Sequence, residues 1–179
     1  MSVPRLDPMP ADRPLTLRSA RTQDVPVIQA LVEPLARERV LLQKEAVAYY
    51  EAIQEFVVAE EADGTLAGFG ALHVMWQDIA EVRTLAVSEA HRGTGVGHLI
   101  IEELLDRARA VGVERVFCLT FEVEFFRRHG FEVMADQSAV DPEVYAELLR
   151  STDEGVAEFL DLERVKPNTL GNTRMLRQL

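Results

Sequence analysis

Gly93, Gly95 and Gly97 stand close together in the run A-V-S-E-A-H-R-G-T-G-V-G-H-L-I, between an apolar stretch and a long amphipathic one. Glycines there permit a positive φ and remove the Cβ atoms that would block a close ligand. Successive N–H groups can then point into one concavity at the positive end of a helix dipole, a phosphate site that needs no metal. Two nucleotide-binding patterns fail on the count. A Walker loop requires G-K-[ST] after its glycines, and this chain reads G-V-G-H; a G-x-G-x-x-G counted from Gly93 and Gly95 puts His98 in the last place. What fits is R-x-x-G-x-G, as Arg92, Gly95 and Gly97. Just upstream, A-E-V-R-T-L-A-V carries Glu81, whose carboxylate in a partly dry crevice would have a raised pKa suited to general-base work. A surface glutamate, salt-bridged to Arg83, is the plainer reading of the same residue.

The elements that must hold these groups follow from periodicity and turn chemistry. T-L-R-S reads as a short strand, and Asp24 as the N-cap of a helix that tolerates Pro26 in its first turn and kinks or ends near Pro34. A second helix fits Glu45 to Gln54, with Val47, Tyr50 and Ile53 on one side. F-V-V-A-E and L-A-G-F-G-A-L-H-V, separated by E-A-D-G, form a hairpin signal. In I-A-E-V-R-T-L-A-V, strict alternation puts Val82, Thr84 and Ala86 on one face, with Glu81, Arg83, Leu85 and Val87 on the other. A long helix follows the glycines and ends at Gly112. R-V-F-C-L-T-F is a strand covered on both faces, and V-E-F-F-R-R-H-G-F a short helix closed by Gly130. Residues 142–160 are expected to be helical from Pro142, and T-R-M-L-R-Q-L a closing strand. The sum is one mixed α/β sheet domain over residues 15–179, after a proline-rich flexible arm at residues 1–14.

Composition bounds the function classes. A chain of 179 residues with 47% apolar and 27% charged side chains is sized and composed for one globular domain. No apolar run approaches the ~20 residues that span a bilayer, and the N-terminus lacks the apolar core of a secretory signal, so a soluble cytoplasmic protein is expected. The single cysteine, Cys118, cannot form an internal disulfide, and no Cys/His cluster has zinc-ligand spacing. Thirty acidic against nineteen basic side chains give a formal charge of −11, which argues against sequence-independent nucleic-acid binding, and neither a nucleic-acid nor a membrane partner is expected. An anionic ligand must therefore be captured by local cations or backbone N–H groups against an unfavourable overall field.

With an apolar strand before it and a long helix after it, the R-x-x-G-x-G turn resembles that of the GNAT acetyltransferase superfamily, whose R/Q-x-x-G-x-G/A turn binds the pyrophosphate of acetyl-CoA. The resemblance runs from about Leu15 to the end, and the Gly130-Phe131 pair of H-G-F matches the family's x-G-F. It implies a mostly antiparallel sheet with a central parallel strand pair, flanked by helices, and acetyl-CoA as co-substrate with no metal. The amides of Val96, Gly97 and His98, with those of Gly93, Thr94 and Gly95 beside Arg92, would hold the diphosphate. Leu85, Ala86 and Val87 would pair with the pantetheine arm as an added strand. Glu81 matches the family's general base, and the N–H of Leu85 or Ala86 would meet the carbonyl oxygen. Where many relatives place a tyrosine that protonates the thiolate, this chain has Phe126, which cannot donate a proton.

A finer resemblance is to the acetyltransferase domain of the N-acetylglutamate synthases, which open arginine biosynthesis. It is carried by L-R-S-A-R-T-Q-D-V, V-L-L-Q-K, A-L-H-V, A-E-V-R-T-L-A-V, V-F-C-L-T and F-F-R-R-H-G-F, while the C-terminal segment is similar to the short form found in actinobacteria. Longer members add an arginine-binding kinase domain, which a chain of this length is not expected to hold. The implied acceptor is L-glutamate, with Leu41, Gln43, Lys44, Arg83, Thr173 and Arg174 as the residues to surround it. Gln43 stands where family members place a carboxylate-binding arginine, and Gly171 or Asn172 replaces another. Losing a guanidinium fork weakens recognition of a carboxylate more than of a carboxamide, so L-glutamine is expected to compete. A protein amine, or a non-catalytic acetyl-CoA-binding role, are the rival functions, and terminal-strand exchange would give a homodimer. His73 and Trp76 read as packing or pocket lining, Cys118 as core, and Glu102 with Glu103 as a solvated helix face. Arg127 and Arg128 fit either coenzyme phosphates or an exposed helix surface.

Overall fold

The structure, a computed structural model, describes residues 14–41, 44–135, 140–162 and 171–179. The expected arm at residues 1–14 and Gln43 thus lie outside the described residues, apart from Pro14. Seven strands form one sheet: β1 (Thr16–Ser19), β2 (Phe56–Glu60), β3 (Leu66–Trp76), β4 (Ile79–Val87), β5 (Arg115–Thr120), β6 (Glu132–Val133) and β7 (Thr173–Gln178). Their spatial order is β1-β2-β3-β4-β5-β7-β6. Every neighbouring pair is antiparallel except β4 with β5, the parallel pair at the centre. A parallel pair needs a crossover, and α3 (Val96–Val111) supplies it.

The sheet is covered on both faces, and the strand sequences show why. Along β2, Val57 and Ala59 point to one side and Phe56 and Val58 to the other; along β5, Val116 and Cys118 oppose Phe117. On the first side Ile100, Ile101, Leu104, Leu105 and Ala108 of α3 fill the core, joined by Phe126 of α4 (Val123–Arg128). On the second, α1 (Val25–Arg37) and α2 (Ala46–Glu51) cover β2 and β3, while α5 (Pro142–Leu148) and α6 (Glu154–Phe159) cover β4 and β5. No helix among the described residues is long and apolar enough to cross a membrane.

Three local expectations are corrected. α1 does not end at Pro34 but runs through it to Arg37, because a proline in the last turn deletes only one ladder bond. α2 buries Tyr49 against Phe56 and leaves Val47 and Tyr50 exposed, so its inward face is one residue away from the apolar triplet that periodicity selects. The segment 142–160 is two helices, not one. Asp153 breaks it, taking the Val156 N–H on its side chain and so starting α6.

Candidate active site

The parallel pair is short. β4 and β5 are in register only at Ile79↔Arg115, Ala80↔Val116 and Glu81↔Phe117. Beyond Glu81 the two strands part: β4 follows β3, and β5 follows β7 as far as Thr120↔Thr173. Within β4, Thr84 has φ 55°, and three steps from Arg83 to Ala86 oppose two from Ala71 to Phe69 on β3. That is a β-bulge, and it breaks the alternation. Glu81 and Arg83 share a face as expected, but Leu85 and Val87 turn to the α3 side with Val82, and Ala86 turns away from it. Thr84 and Leu85 have no register partner in either neighbouring strand. The glycines of L-A-G-F-G make room for this: a Cβ on Gly68 would lie 2.8 Å from the Ala86 carbonyl, and one on Gly70 3.0 Å from Leu85.

The glycine turn forms as the sequence requires. Gly93 and Gly95 have φ of 76° and 92°, and a Cβ on either would meet nothing within 4 Å among the described residues, which leaves the turn open to a ligand. Leu99 N–H donates to the Gly95 carbonyl at 3.1 Å; the amides of Val96, Gly97 and His98 stand ahead of that bond at the start of α3. Arg92 and Thr94 are exposed at the same turn. Gly97 is needed for a different reason, since a Cβ there would press on the Phe125 ring at 3.3 Å. Phe126, expected at this site, points into the core instead, and Phe125 is the ring beside Gly97. The turn is pinned from below by His91, which pairs through Nδ1 with Ser88 Oγ (2.7 Å) and through Nε2 with Glu61 Oε1 (2.7 Å). Neither His91 nor Phe125 is marked by the sequence pattern, which selects the neighbouring Phe126, one helical turn before Gly130.

At the mouth of the split, Glu81 is buried and its Oε2 has no hydrogen-bond partner among the described residues. The backbone of Gly155 in α6 lies against it, so closely that a Cβ there would fall 1.9 Å from Oε2. Burial pushes the Glu81 carboxyl up to about 7; Arg83 opposes this, Asp153 adds to it, and His73 and Lys44 oppose it more weakly. The nearest cation is Arg83, with Nη1 3.6 Å from Oε2. Arg83 itself donates from Nη1 to Asp153 Oδ2 (2.8 Å) and from Nη2 to Glu55 Oε2 (3.2 Å). His73 Nδ1–H donates to Glu55 Oε1 at 2.6 Å, and its Nε2 lies 3.7 Å from Asp153 Oδ2. Burial works against ionised Glu55 and Asp153, but Arg83 and His73 outweigh it and hold both carboxyls below the usual range. Lys44 is pushed down by burial and by Arg83, with Glu81, Asp153 and Glu55 pulling the other way.

Lys44 and Arg83, two of the residues expected around the acceptor, both act electrostatically on Glu81. Leu41 packs on the α1–α2 core, and Thr173 sits at the end of the β5–β7 ladder. Arg174 Nη2 donates to the Phe159 carbonyl at 2.6 Å, which ties it to the last turn of α6. Glu55 and Asp153 were missed. S-T-D-E-G-V carries a recognisable cap signal at Asp153, whereas nothing in the sequence marks Glu55. His73 lines the site, and Cys118 is buried in the core, its thiol pushed up by burial and then by Glu81. No cluster among the described residues could hold a metal ion.

Comparison with known proteins bears on this arrangement. The Acetyltransferase (GNAT) family pattern matches residues 27–131. An amino-acid acetyltransferase of Mycobacterium tuberculosis is 53% identical over 169 residues, which is 93% of this chain and 96% of the relative. One of Neisseria meningitidis is 32% identical over 124 residues, covering 68% of this chain and 28% of the relative. Among solved structures, Rv2747 from Mycobacterium tuberculosis in complex with CoA and NLQ superposes with a TM-score of 0.86 at 54% identity, over 92% of this chain and 99% of that one. N-acetylglutamate synthase from Neisseria gonorrhoeae, complexed with coenzyme A and N-acetyl-glutamate, gives 0.73 at 25% identity, over 94% of this chain and 36% of that one. At that identity and coverage, the chain belongs to the GNAT acetyltransferase family, alongside its amino-acid acetyltransferases.

Proposed function

We propose that this chain transfers the acetyl group of acetyl-CoA to the α-amine of L-glutamate, with L-glutamine as a competing acceptor, as the entry step of arginine biosynthesis. The observation that carries the reading is Glu81: a buried carboxyl, held near neutrality, at the point where β4 leaves β5. An amino-acid ammonium has no lone pair, and a carboxylate with a pKa of about 7 can remove its proton at neutral pH. The open turn fits a diphosphate, with the amides of Val96, Gly97 and His98 as donors, Gly93 to Gly95 as the floor and Arg92 at the rim. Acetyl-CoA supplies the activated acyl group. Leu85 to Val87 offer a strand edge to its pantetheine arm, and the unpartnered Leu85 stretch offers an N–H to the carbonyl oxygen as negative charge develops there. The place of a thiolate-protonating tyrosine is filled by Phe126, and Phe125 beside Gly97 lacks a proton as well. The acceptor nitrogen sheds two protons on becoming an amide; one is taken by Glu81 and returned to solvent, and the other is left for the departing thiolate.

For the acceptor, Lys44 and Arg83 provide positive charge, while Glu55 and Asp153 stand against a second carboxylate. That balance favours a carboxamide side chain over what two free cations would select. Free-thiol release from acetyl-CoA, measured against all twenty amino acids, tests the reading; release with none of them overturns it. A glutamate preference above about a hundredfold, or ~2.7 kcal/mol, removes glutamine as a competitor. An exchange of β7 between two copies is part of the same proposal, and sedimentation of the pure protein as a dimer checks it.

A further inference from the structure

We propose that Asp153 occupies, in the acceptor-free enzyme, the position on Arg83 that the acceptor's own carboxylate takes, so that α6 covers Glu81 until the two carboxylates exchange. The inference rests on the amino-acid acceptor proposed above. Its starting point is steric. Gly155, the second residue of α6, lies against the Glu81 carboxyl, and the space beside Oε2 is too small for even a methyl group, let alone an ammonium. Oε2 of a base so covered cannot touch a substrate while α6 is seated.

The two ends of α6 are seated differently. The C-terminal end is held by apolar packing of Phe159 and Leu160 in the cluster of Ile79 and Phe117, and by Arg174 on the Phe159 carbonyl. The N-terminal end is held by Val156 in the same cluster and by polar contacts at Asp153, whose N–H donates to Ser151 Oγ at 3.1 Å. Asp153 Oδ1 accepts the Val156 N–H at 3.2 Å and starts the helix, while Oδ2 accepts from Arg83 Nη1 at 2.8 Å. Release of Asp153 from Arg83 loosens this end, and the packed Phe159 and Leu160 stay as the pivot.

Arg83 makes the exchange specific. Its fork holds two carboxylates, and they are not equivalent. Glu55 is also bound by His73 and stays with the sheet side; Asp153 rides on the segment that moves. An incoming amino-acid carboxylate is the same chemical group as the one it would displace. The guanidinium keeps two partners throughout, so no charge is left buried and unpaired at any stage. Asp153 is thus a positioning residue that competes with the substrate.

Steady-state kinetics with L-glutamine and L-glutamate on the wild-type chain, Asp153→Asn and Gly155→Ala test this. Asparagine keeps an oxygen for the Val156 N–H but loses the charge that binds Arg83. Alanine at 155 keeps the ion pair but cannot seat against Glu81. Both variants should lower the acceptor KM, by about fivefold for a latch that is closed most of the time, and leave the KM for acetyl-CoA within about twofold of wild type. Thermal melts confirm that both are folded. An acceptor KM that stays the same or rises in either variant overturns the proposal, because α6 would then be a fixed wall of the acceptor pocket. Wild-type protein that acetylates neither amino acid overturns the reading beneath it too, and that failure is visible before any variant is made.

Discussion

A carboxyl wedged between β4 and the backbone of Gly155 holds a proton more tightly than one in water, and Glu81 is pushed up to about 7 by that burial. The activity of a base with this value should fall roughly tenfold per pH unit on the acid side, so kcat/KM should bend near pH 7. A limb near the ordinary carboxylate value would remove Glu81 from the mechanism. Glu81→Gln should reduce kcat by about 10²–10⁴-fold while calorimetry finds acetyl-CoA affinity little changed. Stability moves the other way. Because the folded value lies above the unfolded one, Glu81 contributes stability below about 4.5 that is lost as pH rises through about 7. Melts at pH 8 should therefore find Glu81→Gln more stable than wild type, by on the order of 3 kcal/mol at most, with the gap closing toward pH 5. The glutamate was legible in A-E-V-R-T-L-A-V. Its burial was not, because the residue that covers it belongs to a distant segment, and no local pattern reports a contact of that range.

Gly95 starts α3 with φ 92°, and since a Cβ there meets open space, the cost of Gly95→Ala is conformational alone. An alanine forced into the left-handed region costs about 1–2 kcal/mol. It should also tilt the amides of Val96, Gly97 and His98, so that acetyl-CoA binding measured by calorimetry weakens while kcat at saturation is largely kept. Equal affinity in this variant would mean that the turn does not hold the diphosphate. Turns of this kind are readable because only glycine serves, and β2, β3 and β5 are readable because burial on both faces confines polar residues to their ends and leaves a continuous apolar run between. The β4 bulge was not, since its positive φ belongs to Thr84, a residue that gives no such signal. Strict alternation therefore misplaced Leu85, Ala86 and Val87. The burial of Tyr49 in place of Tyr50 has another cause: packing against the sheet decides the inward face, and periodicity alone leaves it uncertain by a residue.

Thirty acidic and nineteen basic side chains leave the chain at −11, yet the ligand proposed for it is a polyanion. Capture must therefore be local, through turn amides and Arg92, against a repelling far field. Raising the salt from about 10 mM to about 150 mM shortens the Debye length from about 30 Å to about 8 Å, and the acetyl-CoA association rate should rise in stopped-flow measurements. A fall would mean that the turn's own field reaches further than the net charge. The position of Cys118 bears on how such experiments can be done. It is the chain's one cysteine, it lies in the core between β5 and α3, and its thiol is held well away from the thiolate form. Disulfide reagents attack exposed thiolate. The native fold is therefore colourless to them, and all absorbance in a turnover assay comes from liberated coenzyme. The same silence makes the chain its own stopwatch: any slow labelling of Cys118 marks the moments when the whole domain comes apart.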